Sequence, residues 1–172
     1  MRQKLQKMSI NIRIQRKRSL YDCIVEIIAL LCLTGCFYPL FFYGNISNET
    51  LIPIHFNRLG EIDGWGKRNF FIITALIALV LYFGLSIYET RLYYKSVKAA
   101  DNNDASLFKL KLHQGMHIKI FVMLIFAYAN NSTYAIVIGK ASGINIYFVY
   151  GLLACMLIVG GFYHLKMLSF EK

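Results

Sequence analysis

The chain has 172 residues, of which 57% are apolar and 16% are charged, and its formal net charge is +10. A soluble domain typically carries about 25% charged residues and could not bury this much apolar surface, which excludes a water-soluble fold. The basic charge does not indicate nucleic-acid binding, because seven of the 19 Lys and Arg residues lie within the first 18 positions, directly before an apolar run. The composition predicts an all-α, polytopic membrane protein.

Residues 1–20 form a basic arm that precedes the first apolar run. The arm carries seven cations: Arg2, Lys4, Lys7, Arg13, Arg16, Lys17 and Arg18. Such a segment is typical of a cytoplasmic flank, and we expect it to lie on anionic lipid. The sequence leaves open whether translation starts at Met1 or at Met8. Residues 21–172 are predicted to form a single transmembrane domain of four helices.

The first predicted spanning helix covers residues 21–43. Its length corresponds to about 34 Å, enough to cross a hydrocarbon core of about 30 Å, and Pro39 is expected to kink its outer third. The Leu-Thr-Gly-Cys sequence ending at Cys36 resembles a lipoprotein cleavage box. Against cleavage, Asp22 and Glu26 enter the apolar stretch and the chain stays apolar beyond Cys36, so we favour an uncleaved helix.

Three further helices are predicted along the chain. The second covers residues 69–88 and continues beyond the membrane to about residue 98, and the polar residues 101–104 then interrupt it. The third is predicted at residues 107–138 and the fourth at residues 144–165. The expected fold is therefore a bundle of four transmembrane helices.

The orientation of this bundle follows from the distribution of basic residues. The arm, the segment between the second and third helices and the tail together carry 14 Lys and Arg residues, whereas the other two connections carry 4. Cytoplasmic segments are enriched in Lys and Arg, which predicts that both termini are cytoplasmic and that the loop at residues 44–68 is outside.

The outer loop contains the sequence IPIHFNRLGEIDGWGK at residues 52–67. Pro53 predicts an extended start, and Trp65 is expected at the level of the lipid headgroups, with Lys67 on the lipid phosphates. Three glycines permit tight turns: Gly60, Gly64 and Gly66. This density of special residues exceeds what a simple connection requires and predicts a partner-binding segment.

Four polar side chains of the loop lie within nine residues of one another: His55, Asn57, Glu61 and Asp63. Together they suit a cationic peptide or a divalent cation. The alternative is a turn whose carboxylates are satisfied by the loop itself, and the residues alone leave both readings open. No metal is predicted here.

The run also resembles the signature of a domain-of-unknown-function family of bacterial integral membrane proteins, which includes the SdpI-like immunity proteins. The resemblance covers about 45 residues, from the end of the first helix through the second. It is carried by Pro53, His55, Phe56, Asn57, Gly60, Glu61, Asp63, Gly64 and a basic residue at Lys67 or Arg68. The chain departs from the family at Asn48–Thr50, where a Leu-Pro pair is usual, and at Ile62. The resemblance implies residence in the bacterial inner membrane and immunity towards a peptide toxin.

Polar residues also occur inside the predicted helices. Asn130 and Thr133 share a face near the middle of the third apolar run, residues 118–139, whereas Asn131 points about 100° away. Glu26 lies a few ångströms inside the hydrocarbon, with Lys119 or His117 as expected partners. These groups indicate either a substrate or proton path, or hydrogen bonds between helices, and we favour the bonds.

Histidine and cysteine residues do not form a metal-binding pattern. His113, His117 and His164 lie at similar depth, but no fourth ligand and no metalloprotease glutamate accompanies them. The cysteines lie in apolar runs without zinc-type spacing, so neither a metal nor a disulfide is predicted: Cys23, Cys32, Cys36 and Cys155.

Taken as a whole, the sequence predicts a non-enzymatic recognition protein without cofactors. It lacks a nucleophile elbow, a P-loop and a dinucleotide fingerprint. The expected partners are the lipid bilayer and a peptide toxin or another membrane protein, and homo-oligomerisation stays open. The alternative function is a small transporter or channel subunit that uses Glu26, Asn130 and Asn131.

Overall fold

A computed structural model of the protein describes residues 19–99 and 102–170. Within these ranges the chain forms four long helices, one 3₁₀ helix and one β-hairpin. In chain order they are α1 (Leu20–Cys36), the 3₁₀ helix (Tyr38–Asn45), β1 (Leu51–Phe56), β2 (Ile62–Lys67), α2 (Phe70–Lys98), α3 (Asn102–Val137) and α4 (Ile146–Leu168). The predicted basic arm lies outside the described residues, except at its end.

The four helices confirm the prediction of an all-α bundle and identify a multi-pass membrane protein. Each is long and apolar enough to cross a membrane, when α1 is taken together with the 3₁₀ helix as one span, Leu20–Asn45. The helices alternate in direction. Ser19, Lys98 and Asn102 therefore lie at one end of the bundle, called here the Ser19 end. The β-hairpin lies at the opposite end, called the hairpin end.

Helix α1 begins with a capping box and ends earlier than predicted. The Ser19 hydroxyl accepts from the Asp22 amide at 3.2 Å, and the Asp22 carboxylate accepts from the Ser19 amide at 2.9 Å. The α-helix ends at Cys36 instead of continuing to Tyr43. Pro39 lies at the start of the 3₁₀ helix. The α-helix does not continue through this position, because the proline ring removes a backbone hydrogen-bond donor and clashes with the preceding turn.

Helix α3 is the centre of the bundle, and α1, α2 and α4 all pack on it. Small residues allow α1 and α2 to approach it closely, since Ala29 and Ala78 are completely buried against Met123. Helix α4 is peripheral. Of its residues, all of which the structure describes, only Met167 is buried. Its remaining apolar surface is in keeping with contact with lipid.

The predicted helix boundaries are correct to within a few residues in most places. Helix α2 runs to Lys98, as expected from its extension beyond the apolar stretch. Helix α3 begins at Asn102 instead of 107, so that Asn102 to Asp104 form its first turn. The carboxylate of Asp104 stabilises this turn, because it lies at the positive end of the helix dipole. Helix α4 begins and ends slightly later than predicted.

Candidate functional site

The loop between the 3₁₀ helix and α2 forms an antiparallel β-hairpin, which was not predicted. Its turn is organised by Asn57, whose amide donates to the Glu61 carbonyl at 2.9 Å. The Asn57 side-chain oxygen accepts from the amides of Leu59 and Glu61 at 2.8 and 3.0 Å. Gly60 has a φ of +84°, a conformation that favours glycine. The turn predicted at Gly60 is therefore present.

The turns predicted at Gly64 and Gly66 are wrong, because both residues lie inside β2. Their function is to let β1 side chains come close. A Cβ atom at position 64 would lie 2.8 Å from the Cβ of His55, and one at position 66 would lie 2.9 Å from the Ile54 side chain. The two glycines therefore make room for cross-strand packing.

The predicted polar cluster separates into two pairs, and the two side chains of each pair hydrogen-bond to each other. His55 Nδ1 and Asp63 Oδ1 are 2.5 Å apart across the two strands. The Asn57 side-chain amide donates to Glu61 Oε2 at 2.8 Å within the turn. Among the described residues no group of three or more His, Cys, Asp or Glu side chains is arranged to hold a metal ion. The four side chains therefore stabilise the hairpin through these bonds, while parts of them stay exposed.

The base of the hairpin is fixed to the bundle by one apolar and one polar contact. Ile52 is completely buried in a small cluster with Ile46 and Phe71, at the start of α2. The Arg68 guanidinium donates to the Ile46 carbonyl and stacks on the Tyr43 ring at 4.5 Å. These contacts connect the hairpin to both the 3₁₀ helix and α2.

The tip of the hairpin is fixed to the connection between α3 and α4. The Ile144 amide donates to the Gly60 carbonyl at 3.0 Å. The contact is close, since a Cβ at position 60 would lie 2.2 Å from the Ile144 carbonyl oxygen, and one at Gly143 would lie 2.6 Å from the Gly60 carbonyl oxygen. An open cleft of about 470 Å³ adjoins this contact, with Leu59, Glu61 and Asn145 among its lining residues.

Held at both ends, the hairpin presents a mixed apolar and charged surface. Asp63, Trp65 and Lys67 alternate along β2 and are all exposed, with Trp65 exposed by 54%. Three apolar side chains are also exposed: Leu51, Ile54 and Leu59. Pro53 is buried opposite Trp65. An exposed tryptophan among charged side chains is a feature both of binding surfaces and of residues at a membrane interface.

The intramembrane asparagines bond to neighbouring helices. The Asn130 side chain donates to the Cys36 carbonyl at 3.0 Å and accepts from the Thr74 hydroxyl at 2.6 Å. Asn131 donates to the Gly35 carbonyl at 2.8 Å. Thr133 is buried on the same face as Asn130, as its spacing predicted. These bonds connect α3 with α1 and α2 close to the hairpin end.

A second polar cluster surrounds Lys119, which is completely buried. Its ammonium group donates to Glu26 at 2.8 Å, to Glu89 at 2.6 Å and to the Ser86 hydroxyl at 3.2 Å. The Tyr82 hydroxyl donates to Glu26, and the Lys119 ammonium lies 5.0 Å from the Tyr82 ring centre. The pairing of Glu26 with Lys119 was expected.

The part taken by Glu89 was not predicted, because this residue belongs to the extension of the second helix that was expected beyond the membrane. The structure instead buries it inside α2, against Gly115 of α3. A sequence signal for this burial exists. Glu89 continues the helical spacing of the buried face of α2: Phe71, Ala75, Ala78, Tyr82, Glu89 and Leu92.

An apolar layer separates the Lys119 cluster from the asparagines. Lys119 and Asn130 are 11 residues apart on α3, or about 16 Å along the helix axis. Between them lie packed side chains of α1, α2 and α3: Ala29, Leu33, Ala75, Ala78, Met123 and Ala127. Glu26 and Asn130, the two parts of the predicted path, are therefore not in contact.

The three histidines do not converge on a common point. His113 pairs with Asp22 at 3.0 Å, and His117 contacts the Tyr21 hydroxyl at 2.8 Å. His164 is exposed on α4. His113 and His117 thus connect α1 and α3 near the Ser19 end through separate bonds.

Comparisons with known proteins add nothing to these observations. No family model, no curated protein and no solved structure matches the chain. The resemblance of residues 52–67 to the family signature therefore stays a prediction from the sequence. The fold and the two clusters rest on the geometry of this chain.

Proposed function

We propose that the chain is a non-enzymatic protein of the bacterial inner membrane that recognises a peptide through its β-hairpin, residues 51–67. In this proposal both termini are cytoplasmic and the hairpin faces outwards. The peptide is of the membrane-active class against which the SdpI-like immunity proteins protect, as the resemblance of the hairpin sequence implies. The observation that supports the proposal best is the attachment of the hairpin at both its base and its tip.

Attachment at both ends favours recognition because it reduces the entropy lost on binding. A free connection would have to be ordered by its partner, whereas a hairpin with a buried Ile52 and a bonded Gly60 is already ordered. Its exposed Trp65 belongs to the residue types that contribute most to binding energy at interfaces. The hairpin therefore has the properties of a preorganised binding surface.

The cleft beside the hairpin tip suits an extended, cationic peptide segment. Its walls include the backbone of Gly60 and Gly143, which bring main-chain groups close to an occupant. Glu61 contributes an exposed carboxylate, and Leu59 an apolar contact at 71% exposure. A peptide with alternating basic and apolar residues would match both.

The alternative function, a transporter or channel subunit, is supported less well. It requires Glu26 and the two asparagines to contribute to one route, but a packed apolar layer lies between Glu26 and Asn130. The asparagine side chains also bond to main-chain carbonyls of α1, which gives them a sufficient structural explanation. Loss of activity on replacing Glu26 or Asn130 alone would favour this alternative.

The proposal can be tested by complementation of a strain that lacks the gene. The strain is challenged with a panel of cationic membrane-active peptides, and survival is compared after expression of the wild type or of variants. Trp65→Ala and the double change His55→Ala with Asp63→Ala should lose at least about fivefold in protection, since interface anchors are typically worth more than about 1 kcal/mol. Lys140→Ala, exposed in the connection from α3 to α4, is the matched control.

Two results would contradict recognition by the hairpin. The first is that deletion leaves the sensitivity to every peptide unchanged. The second is that the hairpin variants, shown by circular dichroism and thermal unfolding to be folded, protect as well as the wild type. Protection that is lost in the hairpin variants and kept in Lys140→Ala supports the proposal.

A further inference from the structure

A shallow groove of about 330 Å³ runs along the outer face of α2, in the half of the helix towards the Ser19 end. It is lined by Phe83, Ser86, Ile87, Thr90, Arg91 and Tyr94. The groove begins at Phe83, about 20 Å along the axis of α2 from the end of the helix that follows the hairpin. Its occupant would therefore be independent of the peptide proposed above.

The residues of the groove change from apolar to basic along the helix. Phe83 and Ile87 are both more than half exposed and form the apolar wall. Arg91 follows one turn beyond Ile87, so the groove extends for about 12 Å from Phe83 to Arg91. In a spanning helix, the Phe83 part faces the hydrocarbon and the Arg91 part lies nearer the membrane surface. A phospholipid in that leaflet has the same order of tail and headgroup.

The Arg91 guanidinium is exposed and is available to an external anion. None of the ion pairs formed among residues 19–99 and 102–170 includes it. Lys95 and Lys98 are also exposed, on the next two turns of α2. Arg91 lines the groove, whereas Lys95 and Lys98 lie beyond its end, with the Lys95 ammonium 5.8 Å from the centre of the Phe108 ring. The Arg91 guanidinium can bind two phosphate oxygens at once, and the two lysines add positive charge on the adjoining surface.

We propose that this groove binds one anionic phospholipid, with its phosphate on Arg91 and one acyl chain along Phe83 and Ile87. Anionic lipid is preferred over zwitterionic lipid because Lys95 and Lys98 add positive charge near the headgroup. The groove also adjoins the interior of the bundle, since the Ser86 hydroxyl accepts from the Lys119 ammonium at 3.2 Å. A lipid bound here would lie beside Ser86, the residue that connects the groove with the Lys119 cluster.

The test is lipid retention by the purified full-length chain, measured by native mass spectrometry from detergent. Phosphatidylglycerol and phosphatidylcholine with identical acyl chains are added separately. We expect one phosphatidylglycerol to be retained, with an affinity at least about fivefold higher than that of phosphatidylcholine. Arg91→Gln should reduce its affinity by about tenfold, as expected for loss of a charge-assisted hydrogen bond. Ile87→Trp should reduce it by filling the apolar wall.

Arg58→Gln is the matched control. Arg58 is exposed on the hairpin, and its replacement removes the same positive charge at the other end of the molecule. The proposal is overturned if Arg91→Gln and Ile87→Trp retain phosphatidylglycerol as the wild type does, or if Arg58→Gln loses as much. Equal retention of both lipids overturns the preference for an anionic headgroup. Retention of glycerol phosphate with the same affinity would show a phosphate site without a tail, and would overturn the acyl-chain contact.

Discussion

Lys119 lies where α1, α2 and α3 meet, and its ammonium group bonds to carboxylates from both neighbouring helices. The arrangement is costly to assemble, because all three charged groups lose water on burial. Removal of one partner costs still more free energy, since the remaining groups are then charged in a medium that solvates them poorly. The cluster therefore fixes which faces of the three helices come together.

Replacement of Lys119 by methionine tests this view, because methionine fills a similar volume without the charge. We expect Lys119→Met to lower the free energy of unfolding by about 3–5 kcal/mol, since it leaves Glu26 and Glu89 facing each other. The measurement is reversible unfolding in mixed micelles, followed by circular dichroism.

Lys109→Met is the control for this change, because Lys109 is exposed on the same helix. Its effect should be within about 0.5 kcal/mol of zero. A loss of less than about 1 kcal/mol for Lys119→Met would contradict the structural importance of the cluster, whatever the control shows.

The bond between Thr74 and Asn130 allows a second test with a double-mutant cycle. The Thr74 hydroxyl donates to Asn130 across the contact of α2 and α3 at 2.6 Å. Thr74→Ala and Asn130→Ala should show a coupling energy of about 0.6–2 kcal/mol in the same unfolding assay. Thr90→Ala provides the comparison, since its hydroxyl bonds to the Ser86 carbonyl on its own helix. Its coupling with Asn130→Ala should be close to zero.

Among the elements, the spanning helices were predictable and the hairpin was not. A membrane helix is recognised from the length of its apolar run, which depends on the chain alone. A strand depends on the strand with which it pairs, and this partner is not known from the sequence. Gly64 and Gly66 were therefore interpreted as turn residues. The need for glycine becomes clear only when His55 and Ile54 lie across from these positions.

The same reasoning applies to the candidate site. The residues of the motif were identified from sequence, but their pairing as His55 with Asp63 and Asn57 with Glu61 depends on the register of the hairpin. The third member of the Lys119 cluster was missed because Glu89 lies beyond the apolar stretch of α2. Its burial depends on how α2 packs against α3, where Gly115 provides space, and the sequence of α2 alone does not show this contact.

Attachment of the hairpin tip can be tested at Gly60. Gly60→Ala places a Cβ in contact with the Ile144 carbonyl oxygen and requires a φ of +84° from an L residue with a side chain. We expect the bond from the Ile144 amide to break, with at least about tenfold faster hydrogen exchange at that amide. Hydrogen–deuterium exchange with mass spectrometry reads this directly.

Gly44→Ala is the control, because nothing lies within 4 Å of a Cβ at position 44. It should leave the exchange of Ile144 unchanged. Protection at Ile144 that is equal in Gly60→Ala and the wild type would mean that the tip is not held by this contact. The argument for a preorganised hairpin would then rest on its base alone.

At the scale of the whole molecule, the hairpin and the Ser19 end are on opposite faces of the membrane. An even number of spans places both ends of the described chain together, and α4 returns to the end at which α1 begins. The structure determines this relative arrangement, whereas the absolute direction depends on the charges. The 14 basic residues on one set of segments against 4 on the other predict that the Ser19 end is cytoplasmic.

Cysteine labelling in intact cells tests the absolute direction. In a background without the native cysteines, single cysteines are introduced as Arg58→Cys on the hairpin and as Lys98→Cys and Ser169→Cys at the Ser19 end, all at exposed positions. A membrane-impermeant maleimide should label position 58 in intact cells, and positions 98 and 169 only after permeabilisation. Labelling of positions 98 and 169 without permeabilisation, with position 58 protected, would reverse the orientation. The hairpin would then face the cytoplasm, where a peptide arriving from outside could not reach it without first crossing the membrane.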